Sequence, residues 1–472
     1  MRETAGIIRD LIERDERSFD EMSDAIWDFA EYRFQEFRSC EIQKERLRSE
    51  GFSITEGLAD MPTAFMAEWG GSGPVIGILG EFDALPGLSQ EADAIEPLPI
   101  PGQACGHGCG HHLLGTAAVQ AAVAVRRWLE ETGTSGLIRF YATPAEEGCS
   151  GKTFMLRAGC FADLDICISW HPDYRRGIGG STLASIGVIY RFRGISAHAA
   201  AAPHLGRSAL DAVELMNVGC NFLREHIIPE ARIHYAITDS GGSMPNVVQS
   251  HAEVRYSIRA PRSGDLADIF RRVEDIAKGA ALMTGTSVES RPFSYYADYL
   301  DNRTLNNLTK RCMDAIVDEN YSEEELSYAR RFQSVLPESW LEENARFAAA
   351  YALDRSEACA DSPIALYEMP VACPKPPSSD LGNVSWVVPC ACLNTACYAA
   401  GTALHSWQAT AQGRSSLAHH GRTNAAASMA LIAAELLLHP ELIDRAKEDL
   451  VLARGGEEYV CLFPDSVTPG GL

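Results

Sequence analysis

The stretch GHGCGHHLLGTAA, residues 106 to 118, sets His107, Cys109, His111 and His112 among glycines, just ahead of a helix-prone run. A thiolate and an imidazole two residues apart can reach one cation from a tight turn, because glycine lets the backbone bend until both face inward. The bland alternative makes the glycines a turn and the histidines helix caps. A second cluster, TPAEEGCSGKT at 143 to 153, places Glu146 beside Glu147 after an apolar run. Adjacent carboxylates repel each other unless a cation lies near them. One can then bind the cation while the other accepts a proton from attacking water, the division of labour that hydrolysis requires. An exposed acidic turn would look the same. His171 in SWHPD, His198 and His204 in GISAHAAAAPHLGRSALDAV, and His405 in TALHSWQ are each weak alone; together they supply ligand-type groups in loops able to converge.

Positioning these residues needs a scaffold. Apolar positions at helical spacing from Thr4 to Phe29 predict an opening helix. Short apolar runs at Ala64–Trp69, Val75–Leu79, Leu137–Ala142 and Ile166–Trp170 predict strands, with a helix between them from about His112 to Glu131. This alternation argues for an α/β domain with a mainly parallel sheet. Ligands of such sheets sit at the carboxyl ends of the strands. Glu81 and Asp83, Glu146 and Glu147, and His171 all follow predicted strands, at one edge of that sheet.

From about Ser185 to Phe293 the pattern becomes strand 186–192, helix 206–226, strands 232–238 and 252–260, helix 264–283 and strand 287–291. It reads as a smaller α+β unit inserted into the first domain. The expected division is 1–185, 186–295 and 296–472. The segment Ser322 to Pro377 is charged, helix-prone and ends in Pro374, Pro376 and Pro377, which suggests a helical excursion returning through a loop.

The chain has 472 residues, too many for one ordinary core, and 46% hydrophobic with 22% charged residues is a globular composition. A net charge of −23 without any basic run argues against nucleic acid as a partner. No stretch of eighteen apolar residues predicts a membrane span, and the charged first 22 residues show no signal-peptide core. A cytoplasmic protein is expected, with its fourteen cysteines as reduced thiols.

The phrases GILGEFDALPGLSQ, GHGCGHHLLGTA, PAEEGCSGKTFMLRAG, WHPD, HLGRSALDAV, SGGSMPNVVQ and SSDLGNVSW, in order from about residue 5 to 440, resemble the aminoacylase and carboxypeptidase-type metallopeptidase family. The resemblance implies a metal-dependent amidohydrolase of N-acyl amino acids. Its catalytic α/β domain would be interrupted by an α+β dimerisation domain, giving a homodimer. It implies two divalent cations, manganese first with zinc or cobalt as alternatives. Cys109 would bridge them, with His111, Glu147, His171 and His405 as the other ligands. Glu146 would be the general base, and Asp83 would orient a ligand. His198 would stabilise the oxyanion in the partner subunit's site, and Asn246 and Arg259 would hold the substrate carboxylate. An aryl-acyl glutamate or aspartate is the expected substrate, with the acyl group open among p-aminobenzoyl, indole-acetyl and others. A second subunit type is conceivable. His112 and Cys149 depart from the family pattern, the first as an extra ligand or altered neighbour, the second as a narrowing of the pocket.

Rival readings are weaker. Gly151-Lys152-Thr153 echoes a phosphate loop, but Glu146 stands where that loop needs glycine. His251, Glu253, Cys390 and Cys392 echo a zinc deaminase with the wrong cysteine spacing. Cys109 as a nucleophile, a dipeptidase or aromatic-amine hydrolase on the same scaffold, and a non-enzymatic scaffold complete the alternatives.

Overall fold

Alternation of apolar runs with helices builds the centre of the protein. The computed structural model describes residues 1–179, 182–351, 362–365, 368–369 and 377–471. Strands Leu137–Ala142, Val75–Gly80, Ile166–Asp173 and Cys390–Ala396 lie parallel in that spatial order. Phe65–Gly70 and Ser53–Glu56 extend one side antiparallel, and Arg176–Ile178 and Glu368–Met369 complete an eight-stranded mixed sheet. His171 lies inside its strand rather than after it, because the backbone pairing with Cys390–Ala396 continues to Asp173.

The helices His111–Thr132 and Ser416–Leu438 pack against one another and against this sheet, buried along most of their lengths. Alanine dominates both, and its small side chain lets such helices approach closely while apolar residues on every side keep them in the core. The opening helix divides into Arg2–Glu13 and Glu16–Phe29. At the break, Asp15 leaves helical geometry and its carboxylate meets Arg46 at 2.8 Å and Arg127 at 2.6 Å. Those ion pairs join the break to residues 31 and 112 positions away, a long-range effect that apolar spacing alone does not reveal.

A second sheet, in the order Arg232–Asp239, His251–Ala260, Ala184–Arg193, Ser287–Tyr296, is wholly antiparallel and packs against helices Ala209–Leu223 and Ser263–Thr284. Its last strand runs on through Pro292 to Tyr296, with a register shift just beyond the proline. An edge strand tolerates the missing N–H there, so proline did not end it. In the excursion, helices Glu323–Gln333 and Glu338–Tyr351 form; residues 352–361 and 370–376, with Pro374 and Pro376, lie outside the described residues. Among the described residues no single helix is long and apolar enough to cross a membrane.

Candidate metal centre

The turn after Cys105 works because Gly110 takes a left-handed φ of 78° and starts the helix His111–Thr132. A Cβ at Gly110 would collide with the Tyr398 hydroxyl and the Pro172 ring, so only glycine fits there. Cys109 and His111 thereby face the strand that carries His171. Cys109 Sγ lies 3.4 Å from His171 Nε2.

The glutamate pair rides an irregular loop after strand Leu137–Ala142. Ala145 and Ser150 both adopt positive φ (56° and 59°) without being glycine, a strained state that its surroundings must hold. Three ties do so. Glu36 accepts from the Ala145 N–H at 3.0 Å, Asp83 accepts from the Glu147 N–H at 2.9 Å, and the Tyr296 hydroxyl bonds both the Gly148 N–H and the Glu146 carbonyl at 3.1 Å. Tyr296 ends the smaller sheet, so that sheet helps to hold the loop.

Ligand-type atoms of Cys109, His111 and His171 fall within 4.8 Å of one another, and so do those of Cys109, Glu147 and His405. The two groups share Cys109. His405, itself at φ 58°, sets Nε2 3.0 Å from Glu147 Oε1. A third group joins Glu81, His111 and Glu146. The histidine tautomers suit cation binding. His111 donates from Nδ1 to Asp83 at 2.9 Å and His171 donates from Nδ1 to the Pro172 carbonyl at 2.8 Å, which leaves both Nε2 lone pairs facing the cluster. His111 Nε2, Glu147 Oε1 and Glu81 Oε2 are buried without hydrogen-bond partners among the described residues. Buried polar atoms are almost always satisfied, so orphans converging on one point fit divalent cations.

The electrostatics agree. Burial and Glu147 push the Cys109 thiol up, but His171 and His111 outweigh them and bring it down to about 5, favouring the thiolate that binds metal. Contacts with Cys109 and Glu147 push His405 up to about 11. Burial, then the charges of Glu81, Asp380 and Glu147, holds the Glu146 carboxyl well above its usual range.

Other expected residues lie elsewhere. His198 and Asn246 sit on the smaller unit, exposed, and no hydrogen bond joins either to the cluster among the described residues. Arg259 donates to Ser378 at 3.0 Å. His112 turns away from the cluster and donates to the Gly413 carbonyl at 2.8 Å, while His107 donates to the Ile26 carbonyl at 3.1 Å. Burial lowers both rings, His107 to about 3, so they serve as neutral struts. The Cys149 side chain is fully buried, and burial pushes its thiol up to about 11.

Sequence reading missed a buried ionic chain. Lys152 Nζ lies 2.6 Å from both Glu81 Oε1 and Asp380 Oδ1, and the Lys152 N–H donates to Asp380 Oδ2 at 2.8 Å. The lysine that resembled part of a phosphate loop is thus a buried counter-ion. Its signal was a lone cation inside a segment otherwise destined for the core.

This fold and site define a hydrolase scaffold with candidate metal ligands, and the chain belongs to the M20 family of metallopeptidases and amidohydrolases. A family model described as a peptidase dimerisation domain matches residues 180–283. The chain is 45% identical, over all of both chains, to the B subunit of p-aminobenzoyl-glutamate hydrolase from Escherichia coli strain K12. It is 26% identical to the human Xaa-Arg dipeptidase over 93% of this chain and 90% of that one. The structure resembles a dinuclear metal-binding peptidase of the M20 family from Bacillus subtilis, with a TM-score of 0.55 at 17% identity, covering 89% of this chain and 99% of that one.

Proposed function

We propose that the chain hydrolyses the amide bond of N-aryl-acyl amino acids, p-aminobenzoyl-glutamate first among them, with Cys109 bridging two divalent cations and His111, Glu147, His171 and His405 completing their ligands. The observation that carries this reading is the convergence of two ligand groups on one thiol beside the buried Glu146. Bound cations would acidify water and polarise the amide carbonyl. Glu146 takes a proton from the attacking water and returns it to the leaving nitrogen. Asp83 holds the His111 ring in its binding tautomer.

His198 accepts at Nδ1 from the Ala200 and Ala201 N–H groups, both at 3.2 Å, which supports an Nε2–H free to donate to an oxyanion. Its position on the smaller unit supports action in the partner subunit's site. Asn246 and Arg259 hold the substrate carboxylate, the latter by its planar fork. Division of the chain at 186–295 is supported by the four-stranded sheet. Homodimerisation through it is supported by Leu215, Val218 and Phe222, exposed on one helix face, and by the unpaired edge strand Arg232–Asp239. Manganese is the first candidate ion and the cytoplasm the expected location. A second subunit type is a further partner, since two Escherichia coli relatives are named as different subunits of one hydrolase.

The test is release of free amine from a panel of N-acyl glutamates, N-acyl aspartates and Xaa-Arg dipeptides by protein reconstituted with manganese, zinc or cobalt. The dipeptides are included because dipeptidases are also similar to this chain. Release from aryl-acyl glutamates at least ten-fold above the dipeptides is the expected result. Release from none of them removes the proposal.

A further inference from the structure

Glu81 stands apart from the residues whose type and spacing advertised a metal site, yet it is built into one. Its side chain is 4% exposed and reaches the centre from the end of strand Val75–Gly80. One oxygen, Oε1, is taken by Lys152 at 2.6 Å. The other, Oε2, is 3.2 Å from His111 Nε2, and neither atom has a hydrogen-bond partner among the described residues. Two atoms that share one cation through bonds of roughly 2 Å at about a right angle stand roughly 3 Å apart. The separation therefore suits a common ion, and the lack of hydrogen-bond geometry leaves the pair unexplained otherwise.

Charge points the same way. Lys152 is fully buried between Glu81 and Asp380, so one ammonium faces two carboxylates and Glu146 lies close by. A buried excess of negative charge is costly unless a cation answers it. Asp380 is held on both oxygens by Lys152, through its ammonium and its backbone N–H, and is spent there. Glu81 keeps a free oxygen, aimed at His111.

We infer that Glu81 is a further ligand of the cation bound by His111, with Lys152 and Asp380 holding its carboxylate in place. This inference rests on the dinuclear reading above and adds a carboxylate to it. A ligand set richer in oxygen on that side would make the two ions unequal, the His111 ion being the harder of the two.

The experiment measures metal content and affinity by equilibrium dialysis with elemental analysis for wild type and Glu81→Gln, a near-isosteric change that still accepts from Lys152. Wild type should hold two ions. Glu81→Gln should keep its fold by circular dichroism and lose at least ten-fold in affinity for one ion only. With cobalt bound, the thiolate-to-metal absorption of Cys109 should persist while the d–d bands change. Two ions held by Glu81→Gln with unchanged affinity and unchanged d–d bands would overturn the inference and leave the dinuclear reading intact. A wild type that binds no ions would overturn the reading itself. Should Glu81→Gln fail to fold, a crystal structure of metal-loaded wild type decides: a metal to Glu81 Oε2 distance of about 2.0–2.4 Å supports the assignment, and an intervening water or a gap beyond about 3.5 Å ends it.

Discussion

Because Cys109 Sγ belongs to two candidate ligand groups at once, its loss should strike both ions of the proposed centre. Cys109→Ala is expected to fold and to hold fewer than about one ion per chain by elemental analysis, since a bridging thiolate contributes to two coordination spheres. If Cys109 were instead a nucleophile, the variant would keep its metal and lose only turnover, and an alkylating reagent would inactivate the metal-loaded wild type. Glu146 presents the opposite case. It is buried beside the ligands without being needed by both groups, so Glu146→Gln should retain its metal and fold while kcat falls by about a hundred-fold or more. A turnover within a few-fold of wild type would deny it the role of base.

The elements act on the site through the loop that follows strand Leu137–Ala142. Gly151 packs against the Pro144 carbonyl so closely that a Cβ would overlap the oxygen, which is backbone and has nowhere to move. Gly151→Ala should therefore shift Glu146 and Glu147 together, lowering both metal affinity and the melting temperature. A variant that matches wild type in both would show that the loop has slack. Beneath the same loop, Glu36 is pushed up to about 8 from an ordinary 4.5, by burial first and the Asp83 charge second. The sign follows from proton counting. Between those two values the folded chain holds the Glu36 proton and the unfolded chain has released it, so this residue's contribution to stability falls as pH rises through that window. Glu36→Gln keeps acceptor and donor for Ala145 and Thr63 and has no proton to lose. Urea unfolding should show wild type losing about 2–4 kcal/mol relative to the variant between pH 5 and 8. Parallel curves for the two proteins would assign the pH dependence elsewhere.

At the scale of the whole molecule, the strand Arg232–Asp239 of the smaller sheet is unpaired on one side among the described residues, and the helix Ala209–Leu223 exposes Phe222 at 72%. The proposed action of His198 in a partner's centre requires association of two chains. Mixing and refolding Glu146→Gln with His198→Ala tests this directly. Each variant alone should be nearly inactive with its metal content kept. The mixture should recover roughly a quarter of the sites, because half the random dimers are mixed and each restores one of two centres. No recovery in a demonstrably mixed dimer would confine His198 to its own chain or remove it from catalysis.

The pattern of apolar runs announced most strands and helices because burial against one core imposes a local period, and the ligand-type residues were legible by type and spacing. Cys109 with His111, and Glu146 with Glu147, are local pairs, and local pairs survive in a one-dimensional string. Where a side chain's partner lies far along the chain, the string is silent. The Lys152–Asp380 pair spans 228 positions, the His112–Gly413 hydrogen bond spans 301, and the Arg127–Asp15 bridge that helps divide the opening helix spans 112. Residue types thus set what chemistry the chain carries. The resemblance already assigns His111, His171 and His405 to the centre; the tertiary structure supplied the bracing partners of His107 and His112, since a ring's role depends on what its nitrogens meet. The same holds for Glu81, whose free oxygen acquires meaning only once Lys152 has taken the other.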